Sequence, residues 1–219
     1  MKVKKNLLFL GPTLSKRLDI VAVRQLRNES HITRSKILSL CKQLRRLSCN
    51  DRFVSRSNAL FAMKDCGIWS SEINDLGSKA CNEFLSHIIS EIILQSVHPQ
   101  SSKVDIVLLC SALCCLSAAN NIIDSLELSH RVADFSNTGL LSLEELTEVF
   151  CGLTMCLETA ELSGEYTDPP ELVKQEVRTY LKDQAVACVE LMMIKEPTGM
   201  NIECFLVAVQ CHPVVKMFL

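Results

Sequence analysis

Apolar residues recur along the chain at intervals of three and four residues, the spacing of an α-helix that buries one face. The clearest stripe consists of Ile37, Leu40, Cys41, Leu44 and Leu47. A second helix is predicted from Ile73 to Ile92, after the capping signal Ser70-Ser71-Glu72. No segment shows the two-residue alternation of a half-buried strand. The pattern therefore predicts an all-α fold.

Further helices are predicted at about 105–118, 124–133, 143–157, 171–193 and 202–209. An acidic stretch between Glu161 and Pro170 contains Gly164 and Pro169, a composition typical of a linker. The most apolar segment, Ile106 to Ala119, has 14 residues. A bilayer span needs about 20 residues. We therefore predict a buried helix at this position and no transmembrane segment.

A twelve-residue segment from Asp134 to Glu145 separates two of these helices. Oxygen-bearing side chains stand at its positions 1, 3, 5, 9 and 12, and Gly139 at position 6 permits a sharp turn. The segment matches the calcium-loop pattern D-x-[DN]-x-[DN]-G-x5-E except at positions 3 and 5. The predicted metal ligands are Asp134, Ser136, Thr138, Leu140 through its carbonyl, Ser142 and Glu145.

Two alternatives stay open for this segment. It could be an Asp-initiated turn that caps a helix starting near Ser142, although helical patterns on both sides favour the calcium loop. Only Asp134 and Glu145 would bring charge to the ion. The affinity for calcium is therefore expected to be weak, with a dissociation constant of about 10⁻⁵ to 10⁻³ M, and a vestigial site is the alternative.

Helix–loop–helix units repeat with a period of roughly 40–50 residues. In known calcium loops of this pattern, position 8 is apolar and pairs with the same position of a partner loop, and Leu141 fits this position. The plausible equivalents of Leu141 in the other three units are Val54, Val104 and either Met200 or Ile202. The helices that leave the loops carry the similar residues Leu60, Leu146 and Phe205.

Residues 33–219 resemble the four-hand EF proteins related to calcineurin B, the recoverin-like calcium sensors and calaxin. The resemblance rests on Asp134 to Phe150, on Asn201 to Leu219 and on the acidic linker. It implies two lobes of paired EF-hand units, at 33–120 and 121–219, after a basic segment at 1–32. It also implies a calcium-binding regulator or adaptor that binds a helical segment of a partner protein. The alternative is a calcium-independent structural subunit of a larger assembly, cytoskeletal or ciliary.

The other three loops depart from the calcium pattern. The loop around Ser48 to Arg52 has no acidic residue at its end, Leu108 stands where the second loop needs its closing Glu, and Cys204 does so in the fourth. Losing that residue removes two ligand oxygens and one charge. These three loops are predicted not to bind metal.

Charge is distributed unevenly along the chain. Residues 1–56 hold fourteen Lys and Arg against three Asp and Glu, whereas the net charge of the whole chain is −2. This excess predicts contact with an acidic filament or an anionic surface, and the alternative is contact with the protein's own acidic segments. Aromatic residues are scarce in the basic region, so nucleic acid is not expected.

Cysteines are numerous, twelve in all, but the first residues do not have the pattern of a signal peptide, so none is expected. Six lie on apolar helix faces and are expected to be core residues in a reduced, cytoplasmic protein: Cys110, Cys114, Cys115, Cys151, Cys188 and Cys204. Cys110 and Cys114 lack the second pair of ligands that a zinc site requires. No Gly-rich phosphate loop or paired Cys and His is evident, so no enzyme activity is predicted.

Overall fold

The computed structural model describes residues 32–69, 93, 97–98, 103–117, 122–162, 183, 189–190 and 198–211. Within these ranges the chain is mainly helical, as the periodicity predicts. The helices are α1 (Arg34–Leu47), α2 (Arg56–Asp65), α3 (Ile106–Cys115), α4 (Ile122–Ala133), α5 (Leu143–Leu162) and α6 (Ile202–Cys211). Three short strands accompany them: β1 (Phe53–Ser55), β2 (Val97–His98) and β3 (Lys103–Asp105).

Several predictions fall on other parts of the chain. The predicted helix at 73–92 lies outside the described residues, and so does the predicted helix at 171–193 apart from residues 183, 189 and 190. The expected boundary between residues 120 and 121 also lies outside them, as does nearly all of the acidic linker.

Helix α1 buries the face that its apolar stripe predicts. Ile37, Leu40 and Leu44 are fully buried, and Leu47 packs partly buried against the same core. The helix starts at Thr33, whose Oγ1 accepts a hydrogen bond from the amide of Lys36 at 3.4 Å.

No apolar stripe predicts helix α2. Its only indication in the sequence is Leu60, which resembles Leu146 and Phe205 in the helices that leave two other loops. Its buried face consists of Ala59, Ala62 and Met63, and the two alanines give little hydrophobic periodicity. Its start is clear locally, because Ser55 Oγ accepts a hydrogen bond from the amide of Asn58 at 3.2 Å.

Helix α3 is buried along all ten of its residues, which confirms the buried helix predicted for this apolar segment. Helix α5 crosses it at Gly152, where a Cβ atom would lie 2.8 Å from the carbonyl oxygen of Leu108. Glycine thus permits the close approach of the two backbones. Among the described helices, none combines the length and the apolarity needed to cross a membrane.

Two short antiparallel pairings join the loops. In the first, β1 pairs with β3 so that Val54 faces Val104, and β2 flanks the other edge of β3. In the second, Leu141 and Met200 exchange two backbone hydrogen bonds of 2.9 Å. The predicted pairing positions are confirmed, and Met200 rather than Ile202 is the partner of Leu141. We refer to these pairings as the first ladder, Val54–Val104, and the second ladder, Leu141–Met200.

One hydrophobic core underlies both ladders. It contains the four ladder residues, the buried faces of all six helices, and Phe150 and Phe205, whose rings meet edge to face with centroids 6.4 Å apart. The ring of His130, which is also buried, lies 5.5 Å from that of Phe205. The loops are therefore fixed to a common apolar base.

Candidate metal site

The two ladders align four loops residue by residue. The residue after each ladder residue caps the helix that follows, because its side chain accepts a hydrogen bond from the backbone amide three positions later. The capping residues are Ser55, Asp105, Ser142 and Asn201, with N···O distances of 3.2, 3.1, 3.2 and 2.9 Å. At the ladder and capping positions, the four loops therefore share one local structure.

The same alignment identifies the closing position of each loop, four residues after the ladder residue. This position is held by Asn58, Leu108, Glu145 and Cys204 in turn. Leu108 is 7% exposed and belongs to the core, so it supplies no side-chain ligand. Only the third loop places a carboxylate here, and it is the loop that the sequence motif selects.

Asp134 organises the first half of this loop. Its Oδ1 accepts a hydrogen bond from the amide of Thr138 at 2.9 Å, and its Oδ2 accepts one from the amide of Gly139 at 2.8 Å. Gly139 has a φ of +77°, a left-handed conformation, although a Cβ atom there would meet nothing within 4 Å. Glycine is thus required by the backbone turn and not by lack of space.

Oxygens of four predicted ligand residues lie within hydrogen-bonding distance of one another along the loop. Ser136 Oγ lies 3.4 Å from Asp134 Oδ1 and 3.2 Å from Thr138 Oγ1, and Thr138 Oγ1 donates to the carbonyl of Leu140 at 3.1 Å. This all-oxygen set fits a hard cation such as calcium. Within the described residues, no three His, Cys, Asp or Glu side chains come together as a metal-binding group.

Glu145 closes the loop through hydrogen bonds to its carboxylate. Its Oε1 accepts a hydrogen bond from the amide of Phe135 at 3.1 Å, and its Oε2 accepts bonds of 2.9 Å from both the amide and the hydroxyl of Ser142. With the return bond from the Glu145 amide to Ser142 Oγ, the pair forms a capping box. The capped helix start, one of the two interpretations of the sequence, is therefore observed, and it uses two of the residues that the metal-loop interpretation predicts as ligands, Ser142 and Glu145.

Arg45, at the end of α1, contacts the loop although 89 residues separate it from Asp134. Its Nη2 donates to the carbonyl of Asp134 at 3.0 Å, and its guanidinium lies 4.5 Å from the ring centroid of Phe135. The sequence motif gave no indication of this contact, because nothing in the local pattern links α1 to the third loop.

Arg52 joins the first ladder to helix α5. Its guanidinium pairs with Asp105 at 2.7 Å, Glu144 at 2.9 Å and Glu148 at 3.4 Å. Burial alone would lower the pKa of Arg52, but the three carboxylates raise it above its ordinary value. Because Glu144 and Glu148 lie one helical turn apart, the sequence places them on one face, but their cation could not be identified from it.

These contacts bear on the basic region at residues 1–56. Arg45 and Arg52 both face carbonyls or carboxylates of their own chain. For these two residues the structure favours the intramolecular alternative. Residues 1–31, which hold the N-terminal arginines, lie outside the described residues.

The cysteines are free thiols in the part of the chain that the structure describes. Cys110, Cys114, Cys115 and Cys151 are buried as predicted, whereas Cys204 is only partly buried because it lies in the exposed first turn of α6. Cys188 lies outside the described residues.

Cys41, on α1, has an unusual environment for a buried thiol. A hydrogen bond with the Cys110 thiol lowers the pKa of Cys41 to about 7, against the opposing effect of burial and with help from the charge of Arg45. The same hydrogen bond, together with burial, raises the pKa of Cys110. The two thiols therefore ionise at different pH values, Cys41 first.

Comparisons with known proteins give no further guidance on this site. No family model matches the chain, and no curated protein or solved structure matches it significantly. The function therefore has to be inferred from the geometry of the loops themselves.

Proposed function

We propose that this protein is a non-enzymatic EF-hand regulator or adaptor, built from two pairs of helix–loop–helix units, with a single weak calcium site at Asp134–Glu145. The observation that carries the proposal is the repeated loop structure. Each of the four loops combines an apolar ladder residue with a capping residue directly after it, and the loops are joined two by two.

Calcium is the proposed cofactor because of the oxygens in the third loop. Asp134, Ser136, Thr138 and Leu140 already bring carboxylate, hydroxyl and carbonyl oxygens together. Glu145 would supply the second charge after leaving its bonds to Phe135 and Ser142. Two formal charges among the ligands place the expected dissociation constant at about 10⁻⁵ to 10⁻³ M.

A protein partner is proposed because large apolar side chains lie exposed on α2 and α6. Phe61 and Val207 are 59% and 64% exposed, and each stands seven residues after its ladder residue, Val54 or Met200. EF-hand proteins hold amphipathic helices against apolar surfaces of this kind. Calcium binding in the third loop would regulate such a contact through the shared core.

A second candidate function is that of a calcium-independent structural subunit, cytoskeletal or ciliary. It is favoured by the hydrogen bonds of Glu145, since three donors satisfy the carboxylate without any metal. A loop that is closed in this way needs no ion to keep its shape.

Calorimetric titration with calcium, up to millimolar concentrations, tests the proposal. We expect one weak site in the unaltered protein and none in Glu145→Gln, because the amide cannot act as a bidentate anionic ligand. Glu203→Gln is the matched control, since it removes a carboxylate beside the closing position of the fourth loop. More than one site, or binding that survives Glu145→Gln, would contradict the proposal.

A dye that reports exposed apolar surface, added to the same titration, separates the two candidate functions. A regulator should change dye fluorescence as calcium saturates the site, and the change should disappear in Glu145→Gln. Calcium binding without any dye response, or no binding at all, would favour the structural subunit.

A further inference from the structure

The guanidinium of Arg45 reaches the third loop from another helix-loop-helix unit. Its Nη2 donates to the carbonyls of Val132 at 3.3 Å and Asp134 at 3.0 Å, and its Nη1 donates to Asn137 Oδ1 at 3.3 Å. The flat guanidinium also lies over the Phe135 ring. Arg45 therefore touches the end of α4 and loop positions 1, 2 and 4.

These contacts supply hydrogen bonds and a positive charge to the carbonyl groups at the C-terminal end of α4. The last carbonyls of a helix have no partner within the helix and carry the negative end of its dipole. Val132 belongs to the last turn of α4 and Asp134 follows directly, so both carbonyls point out of the helix end. Asn137 holds a left-handed turn with a φ of +54°, which its bond to Arg45 supports.

The position of Arg45 also matters for any cation that enters the loop. Asp134 would be the first ligand of calcium through its carboxylate, while its carbonyl already accepts a hydrogen bond from Arg45. A fixed positive charge beside a divalent ion weakens its binding, by about three- to tenfold when the charges are partly screened by water.

We propose that Arg45 holds the third loop in shape when no metal is bound, and that its positive charge lowers the affinity of the loop for calcium. Arg45 is a positioning residue and not a ligand. The calcium part of this inference rests on the proposed function, whereas the positioning part does not.

Three variants test the inference in the full-length protein. Arg45→Met keeps a long aliphatic side chain without charge or hydrogen bonds, and Arg45→Lys keeps the charge without the planar fork. Arg46→Met removes a charge from the neighbouring exposed position of α1 and serves as the control. Circular dichroism should be used to check that each variant retains its helical content.

Amide resonances of Asp134, Asn137 and Gly139, recorded with a chelator present, measure the positioning role. We expect large shifts and faster hydrogen exchange in Arg45→Met, smaller changes in Arg45→Lys, and none in Arg46→Met. Loop resonances in Arg45→Met that match those of the unaltered protein would overturn the positioning role.

Calorimetric titration with calcium measures the opposing charge. The affinity should rise about three- to tenfold in Arg45→Met and stay close to the original value in Arg45→Lys, because the lysine keeps its charge. An equal or lower affinity in Arg45→Met would overturn this part. If no variant binds calcium but the loop resonances still respond to Arg45→Met, the positioning role stands and the calcium part fails together with the proposed function.

Discussion

The two ladders have the same backbone design but different surroundings. Around the first ladder, Arg52 forms a buried ionic cluster with carboxylates from β3 and α5. Around the second, Asp134 and Glu145 are bonded to amides and hydroxyls of their own loop. The ladder residue and the helix cap therefore define the loop pair, whereas the neighbouring side chains decide its chemistry.

The closing position shows the contrast most directly. In the second loop, on the first ladder, Leu108 occupies this position and is buried, so the loop end contributes to the core. In the third loop, on the second ladder, Glu145 occupies it and accepts hydrogen bonds from Phe135 and Ser142. The residue type at one aligned position thus separates a loop end that packs into the core from a loop end that carries a carboxylate.

The largest expected effect comes from breaking the ionic cluster of the first ladder. Arg52→Met should lower the free energy of unfolding by about 2–4 kcal/mol, because it leaves the buried Asp105 without its cation. Urea denaturation measures this difference. The matched control is Lys103→Met, which breaks the ion pair between Lys103 and Asp51. The two charged groups lie 3.8 Å apart, and their side chains are 47% and 52% exposed. This exposed pair should contribute less than about 1 kcal/mol, and equal losses in the two variants would contradict the prediction.

A smaller effect is expected where the two loop pairs meet, at the crossing of α3 and α5. Gly152→Ala should lower the free energy of unfolding by about 1–3 kcal/mol, because the new methyl group would lie 2.8 Å from the Leu108 carbonyl. Thermal and urea unfolding measure the change. Gly139→Ala is the informative comparison, since the cost there is left-handed backbone strain, about 1 kcal/mol, without a clash. A greater loss at Gly139 than at Gly152 would show that the helix crossing adjusts.

The smallest expected effect concerns the Cys41 thiol, which α1 places against Cys110. We expect its thiolate to form as the pH passes about 7, with a hydrogen bond from Cys110 as the main cause, whereas an ordinary thiol ionises near 8.5. Because its folded pKa is lowered, Cys41 contributes stability that is fully present above the unfolded pKa and is lost as the pH falls through about 7.

Thiolate absorbance in the ultraviolet, followed from about pH 6 to pH 9, measures this ionisation. Cys41→Ser should remove the early component, and Cys110→Ser should move it to higher pH. A first thiolate that appears only near the ordinary value of about 8.5 would contradict the assignment.

Local patterns in the sequence determined much of what the structure shows. The apolar stripe of α1 and the buried apolar helix α3 could be predicted because each depends on periodicity within one short segment. The ladder positions Val54, Val104 and Leu141 could be predicted by aligning the repeated units, and the loop at 134–145 by the spacing of its oxygen-bearing residues. Helix α2 has no clear apolar stripe, because the small residues Ala59 and Ala62 form most of its buried face.

Only the tertiary structure decided which distant groups complete each loop. Arg45 reaches Asp134 across 89 residues, and Arg52 reaches Glu144 and Glu148 on a helix from another unit. The choice of Met200 over Ile202 as the ladder partner was decided in the same way, by two backbone hydrogen bonds. The physical reason is that periodicity indicates which face of a segment is buried. The type of a charged or hydrogen-bonding residue, in contrast, does not indicate which distant residue will become its partner in the folded chain.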